Sequence, residues 1–423
     1  MAENNIQNVI KSNKATTTAS KKSRFPPGEM YLSVLGNGSS SSARSLYMFT
    51  DHERYIFNCG EGTQRLANEH KMKLSKLDNI FITHSSWENV GGLLGLSLTI
   101  QDMGVEEVTI HSPPGILSLY EFSQSFVNLP NLEIKTKTYS DVSHKDNCME
   151  VHYIPVFKSS SKLNTVKDSE NLDHEHKSKK LCVDVNECSW DMTMAFACKG
   201  HSKPGRMLLE KCVEFGVPVG PLLGDLKNGK DITLPSGKLV RSKDVVSEEE
   251  VCPLFLVVEC PSEDFLDPFV SEEKFRPYQE DETQLAFLIV HFTPSKILNS
   301  PKYQKWMQQF PSTTCHLILN SDCASLNSLA VHRIQHQLNL LHPGIFSLLQ
   351  EDEVLQPLQG YNIVYAHTLE RYYLRPAKEL DRSFAIKLEP KIFIEEAQKV
   401  KDFNSQLKTL QSNISKFPSQ HNN

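Results

Sequence analysis

A strand ending in histidine, a tight loop and a helix opening with Gly-Gly-Leu make up the segment Phe81-Ile82-Thr83-His84-Ser85-Ser86-Trp87-Glu88-Asn89-Val90-Gly91-Gly92-Leu93. This is the setting of a dinuclear zinc site, where His-x-His-x-Asp-His aims imidazoles and a carboxylate at two metals. His84 fills the first position, but the next three read Ser86, Glu88 and Asn89. Serine is a poor zinc ligand, asparagine a weak one, and one histidine cannot hold a catalytic zinc. The expectation is a structural loop without a metal of its own. A second cluster, His174, His176 and Cys182, stands in polar, low-complexity sequence that offers no rigid support for ligands. It reads as a solvated charged loop.

The segment Lys211 to Lys238 carries a different chemistry. Gly216, Pro218, Gly220, Pro221, Gly224 and Gly229 punctuate it too densely for one long helix. Lys227-Asn228-Gly229-Lys230 reads as a hairpin tip, Ile232 to Leu234 as a short strand, and Gly224 as a turn glycine with positive φ. From Lys199 to Lys243 nine Lys or Arg face four Asp or Glu, a local +5 in a chain of net charge -6. The basic residues include Lys199, Lys203, Arg206, Lys227, Lys230, Lys238 and Arg241. A projecting basic lobe can grip a phosphate backbone, and phosphate contacts dominate nucleic-acid affinity. An exposed hairpin with an ordinary charged surface would carry the same residues, and charge alone does not separate the two.

The elements that must position these segments alternate between strand and helix. Met30 to Leu35 is a strand running into Gly36-Asn37-Gly38, and Leu46 to Phe49 with Arg54 to Phe57 forms a hairpin about Thr50 to Glu53. Asn58-Cys59-Gly60-Glu61-Gly62 is a turn before a helix from Thr63 to His70, with Leu66 on its buried face. Leu77 to Thr83 is a strand, followed by a helix from Trp87 to Met103, a strand from Val108 to His111 and a helix through Phe126. Strands resume at Met192 to Cys198, Leu254 to Val258, Leu285 to His291 and His316 to Leu319, with helices from Pro301 to Phe310 and Ser328 to Leu340. Such alternation gives a layered α/β protein. Lys158 to Lys180 reads as a surface loop, residues 1–27 as a disordered basic tail and residues 401–423 as a linker-like tail.

Bulk composition sets limits. The 39% apolar and 23% charged residues are ordinary for a globular protein with a large core. The ten cysteines include no CxxC pair, and with no secretory signal they read as reduced thiols in an intracellular compartment. No apolar run approaches the roughly 18 residues that span a bilayer, so a soluble protein without a membrane partner is expected.

Taken together these segments resemble the ribonuclease Z family, tRNA 3′-end processing endonucleases of the metallo-β-lactamase fold. Val34-Leu35-Gly36-Asn37-Gly38-Ser39 sits where the family's first strand and Gly-rich turn lie, and Phe57 to Gly62 matches its Cys-Gly-Glu-Gly box. Gly216 to Lys238 looks like the family's flexible arm, which clamps the tRNA elbow, with Lys199 to Arg206 as the near strand. Tyr303 to Met307 with His316 to Asn320, and Ile334 to Pro343, are similar to the N-terminal half of the long form in particular. The resemblance runs from about Met30 to Phe403. It departs from the catalytic pattern at Asn58, where an aspartate precedes the box, in the His84 loop, and near Phe157, Cys260 and Ser321, where later metal ligands would fall.

The resemblance implies an αββα metallo-β-lactamase-like sandwich over residues 28–400 with an arm inserted at 199–243. It implies an RNA-binding half of a tRNA 3′-processing endoribonuclease. The arm would contact precursor tRNA through Lys199, Lys203, Arg206, Gly216, Pro218, Gly220, Pro221, Gly224, Lys227, Gly229, Lys230, Lys238 and Arg241. No cofactor is expected in this chain; zinc would belong to a catalytic half supplied in cis or in trans. The compartments expected are the nucleus, the mitochondrion or both, with the cytoplasm open. Two other classes stay in view: a catalytically dead scaffold in a protein complex, and an active hydrolase using unusual ligands.

Overall fold

The computed structural model describes residues 26–39, 42–141, 143–159, 191–349, 362–378 and 380–414. The cluster His174, His176 and Cys182, nearly all of the basic tail and most of the Lys158 to Lys180 loop lie outside them.

Two seven-stranded sheets face each other. The first holds β1 (Met30–Asn37), β2 (Arg44–Thr50), β3 (Arg54–Phe57), β4 (Leu77–Phe81), β5 (Glu107–His111) and β6 (Glu133–Lys137). The second holds β7 (Ser143–Lys145), β8 (Met149–Phe157), β9 (Met192–Gly200), β12 (Leu254–Val258), β13 (Ala286–His291), β14 (Cys315–Ile318) and β15 (Ile363–Tyr365). A separate two-stranded ribbon, β10 (Ile232–Thr233) and β11 (Leu239–Val240), interrupts the second sheet's sequence, and β16 (Arg371–Arg375) returns to the first sheet beside β1. In each sheet antiparallel pairs give way to a parallel run, β3-β4-β5-β6 in one and β12-β13-β14-β15 in the other.

The period of two along a strand explains the layering. In β3, Tyr55 and Phe57 point into the core between the sheets, while Ile56 points outward beneath the helices Thr63–Glu69 and Leu93–Asp102. Phe57 stacks on Phe81 at 5.0 Å and meets Phe255 of the facing sheet edge-on at 5.8 Å. Outside the second sheet, the helices Glu263–Val270 and Pro301–Met307 bring Phe269 and Trp306 together at 5.0 Å. Helix, sheet, sheet and helix layers make up the expected αββα sandwich.

Several elements differ from the sequence expectation. The helix expected from Trp87 to Met103 is two, Trp87–Val90 and Leu93–Asp102, parted at Gly91-Gly92. β8, not expected from the sequence, runs nine residues through Pro155. Residues 403–414 of the expected linker are helical, Phe403–Ile414, close to the helices Leu329–Leu341 and Pro390–Gln398. Lys227 to Lys230 is not a hairpin tip: Lys227 ends the helix Pro221–Lys227, and the true hairpin turns at Pro235-Ser236-Gly237 between β10 and β11. Gly224 lies inside that helix without positive φ, whereas Gly216 and Gly229 do take the left-handed region at φ 73° and 83°.

Candidate functional site: a metal-loop remnant and a basic lobe

The loop after β4 is fixed by backbone contacts that only glycine permits. A Cβ on Gly92 would fall 2.2 Å from the Gly60 carbonyl oxygen, and one on Gly60 would fall 2.5 Å from the Glu88 carbonyl oxygen. The Cys-Gly-Glu-Gly turn and the Gly-Gly helix start therefore lock together. Asn58, at φ 56°, turns the chain out of β3 and accepts the Thr83 backbone N–H at 2.9 Å. Its amide donates to Thr83 Oγ1 at 2.9 Å.

All these polar groups converge on a residue that sequence reasoning did not select, Glu259. It follows β12, and its side chain is 2% exposed. Asn89 donates to its Oε2 at 2.7 Å, the Thr83 hydroxyl donates to the same oxygen, and Arg44 Nη1 approaches Oε1 at 3.4 Å. Burial pushes the Glu259 carboxyl above its usual range, opposed by the charge of Arg44, then by His84 and by the Thr83 and Asn89 hydrogen bonds. The same Arg44 nitrogen reaches Glu88 at 2.8 Å. His84 is buried, with Nδ1 3.0 Å from the Met192 carbonyl oxygen and its ring edge-on to Phe265.

Of the expected later positions, Cys260 is buried beside Glu259. Its backbone N–H donates to Thr293 Oγ1 at 3.0 Å. Phe157 packs edge-on against Tyr139 at 5.6 Å. Ser321 lines a cleft with Gly38, Ser39, Arg44, Glu61, Trp87 and Glu88. Glu259 stands one residue before Cys260, the position the family pattern pointed to, and nothing local marks a glutamate after an apolar strand as buried.

The donor chemistry does not fit a dinuclear zinc centre. Asn89 presents its N–H to a carboxylate, Ser86 supplies a hydroxyl, Glu88 is drawn to Arg44, and the one enclosed carboxylate has a guanidinium beside it. Among the described residues, Glu53, Asp146 and Cys148 form the one group of three metal-ligating side chains with converging donor atoms. Those atoms are engaged: the Tyr55 hydroxyl lies 3.1 Å from Glu53 Oε2 and 2.9 Å from Asp146 Oδ2, and Cys148 Sγ lies 3.5 Å from Thr50 Oγ1.

The second candidate region leaves the sheet at the end of β9. Lys203 and Glu250 exchange backbone hydrogen bonds at 2.9 and 3.0 Å, and Met207 bridges Val246, so the segment leaves and returns as a two-stranded stem. Beyond it the helices Leu209–Glu214, Pro221–Lys227 and Ser242–Val245 and the β10-β11 ribbon enclose a core of their own. Cys212, Val217, Leu226, Ile232, Leu234, Val240 and Val245 form it, separate from the main core. Pro221 occupies the first helical turn, where its missing N–H costs nothing.

The predicted basic residues do not form one patch. Lys199 belongs to β9, paired with Leu254 and Glu150, and Lys203 sits in the stem. Arg206, Lys227, Lys230, Lys238 and Arg241 are exposed on the lobe, as are Gly216, Pro218, Gly220, Pro221, Gly224 and Gly229. Lys230 lies 3.6 Å from Asp225, and Lys238 stands 4.7 Å over the Phe215 ring. The returning stem carries Glu248, Glu249 and Glu250, and with Asp244 they bring the segment from Lys203 to Glu250 to eight Lys or Arg against eight Asp or Glu, so the lobe with its stem has no net charge and offers only local basic side chains.

A family model described as tRNase Z endonuclease matches residues 34–92, the span holding the glycine turns and the altered loop. Human zinc phosphodiesterase ELAC protein 2 is 35% identical over 403 residues, covering 89% of this chain and 49% of that protein. Drosophila melanogaster ribonuclease Z, mitochondrial, is 36% identical, again across 89% of this chain and 49% of the relative. The chain belongs to the ribonuclease Z family. A long-form RNase Z crystal structure from yeast shares its fold, with a TM-score of 0.56 at 16% identity over 86% of this chain and 51% of that one. This ribonuclease Z family chain spans about half the length of the curated relatives it matches.

Proposed function

We propose that this chain is the substrate-binding half of a ribonuclease Z-type endoribonuclease that removes 3′ trailers from precursor tRNA. Its lobe grips the RNA, and the zinc centre belongs to a catalytic half supplied in cis or in trans. One observation carries this reading: the lobe is a self-contained unit with its own core and stem, while the loop that would hold metals has turned its side chains toward Glu259 and Arg44. A core beneath them supports Lys227, Lys230, Lys238 and Arg241, exposed side chains of the type that position a protein on phosphates. Gly216, Gly220 and Gly229 leave backbone exposed where a phosphate can approach closely. The mitochondrial relative's name supports a mitochondrial site of action. No helix among the described residues is long and apolar enough to cross a membrane.

The test is reconstitution. The chain alone should bind precursor tRNA and leave it uncleaved, and addition of a metal-bearing catalytic half of the family should produce cleavage at the 3′ trailer. Cleavage by the chain alone, or no tRNA binding at all, would replace this reading with an active hydrolase or a scaffold, respectively.

A further inference from the structure

We propose that Arg44 is the built-in cation of the altered loop: its guanidinium supplies the positive charge that buried Glu259 requires, in place of a bound metal. The proposal rests on the reading above that this chain carries no zinc of its own.

Arg44 is held where it can do this. It opens β2, its carbonyl oxygen accepts the Gly60 backbone N–H at 3.3 Å, and a Cβ on Gly60 would stand 2.9 Å from its backbone nitrogen. A Cβ on Gly38 would stand 3.2 Å from its Cγ. The two glycine turns of the family motif thus seat this side chain, which is 12% exposed. From that seat one nitrogen lies 2.8 Å from Glu88 and 3.4 Å from Glu259. Glu88 lies in the first turn of the loop helix and Glu259 follows β12, so the guanidinium ties the first sheet's loop to the second sheet.

The electrostatic argument is asymmetric. A buried carboxylate without a counter-charge is strongly destabilising, whereas removing both members of a buried pair is often nearly neutral. Asn89 and Thr83 give Glu259 hydrogen bonds but no net charge. Arg44 gives it charge. Lysine is an imperfect substitute, because its ammonium is a compact, strongly hydrated charge that is harder to bury than the delocalised, weakly hydrated guanidinium.

The full chain and five variants, Arg44→Met, Arg44→Lys, Arg65→Met, Glu259→Gln and the Arg44→Met/Glu259→Gln double, test this by thermal unfolding with added zinc or with a chelator. Arg44→Met should lower the midpoint more than Arg65→Met, which removes an exposed arginine. Adding Glu259→Gln to Arg44→Met should recover part of that loss, and Arg44→Lys should fall between wild type and Arg44→Met. Neither zinc nor chelator should move the wild-type midpoint. Should Arg44→Met fail to fold, recovery of folded protein in the double variant supports the proposal in the same way. The proposal is wrong if the double variant is no better than Arg44→Met, if Arg44→Met matches Arg65→Met, or if stoichiometric zinc raises the wild-type midpoint and Glu259→Gln abolishes the rise. Binding of tRNA measured on the same proteins should stay unchanged, since Arg44 lies outside the lobe. Absence of tRNA binding in wild type would therefore count against the lobe's role and leave the Arg44 result standing.

Discussion

Asn89 donates its side-chain amide to Glu259 across 2.7 Å, and both residues are enclosed, at 0% and 2% exposure. A loop built to bind metal would present an acceptor at the Asn89 position; here the carboxylate comes from the other sheet and the loop supplies the donor. The geometry makes Asn89→Asp a sharp test. Two enclosed carboxylates would then meet at hydrogen-bond distance, and only one could stay ionised. We expect a loss on the order of 3 kcal/mol at neutral pH, read by denaturant unfolding. Full rescue of that variant by zinc would show that the loop still fits a metal.

Metal content gives a direct check on the reading of this chain as the non-catalytic half. After purification in the presence of zinc, elemental analysis should find no stoichiometric metal. Two equivalents per chain that disappear in His84→Ala would contradict the donor geometry described above.

Glu370 yields a pH dependence whose sign can be worked out. Burial pushes its carboxyl up to about 7, opposed by a backbone hydrogen bond from His367 and by Arg382. A carboxyl raised in the folded state binds its proton more tightly there than when unfolded, where its value is 4.5. Its favourable contribution is complete below about 4.5 and is lost as pH rises through about 7. The stability of wild type relative to Glu370→Gln should therefore fall between those two values, by on the order of 3 kcal/mol. A pH-independent difference between the two proteins would rule this out.

Much of the fold was legible because apolar periodicity and glycine turns are local signals. β3 alternates around Ile56, and the Gly60 and Gly92 contacts explain why both glycine runs mark the loop. β8 was not legible: Pro155 sits in its middle, and proline normally argues against a strand paired on both sides. Glu259 and Arg44 were missed for a different reason. They are 215 residues apart, and only the packing of the two sheets brings their charges together. Gly224 misled because an exposed glycine in a Pro/Gly-rich segment resembles a turn, yet it lies in a helix with open space where a Cβ would go.

That last correction changes what the lobe's glycines predict. Gly224→Ala should be tolerated or slightly stabilising, since alanine is favoured over glycine in a helix by about 1 kcal/mol. Gly229→Val should disturb the lobe, because Gly229 holds φ 83°, a region β-branched residues avoid. Hydrogen exchange across residues 206–247 separates the two, and equal protection in both variants would contradict the assignment.

The lobe's core offers a way to separate folding from charge. Leu226 is fully buried in it, and Leu226→Ala should cost about 2 to 5 kcal/mol locally. Protease cleavage within the lobe should rise while the sandwich stays folded. Replacing Lys227 and Lys230 with alanine should instead leave the lobe intact, as exposed substitutions usually change stability by no more than about 0.5 kcal/mol. Its effect should fall on RNA. If both lysines touch phosphate, tRNA affinity drops and the slope of log affinity against log salt flattens by about 1.4 to 1.8, each contact accounting for roughly 0.7 to 0.9. Lys230 also lies 3.6 Å from Asp225, so Asp225→Asn should move affinity the opposite way by freeing that charge. Intact tRNA should bind better than an unstructured RNA of equal length, because basic side chains held on a folded lobe recognise the shape of a folded backbone. Equal binding of both RNAs, with a salt slope unmoved by the lysine pair, would make the lobe an ordinary charged surface and favour a scaffold role for the chain.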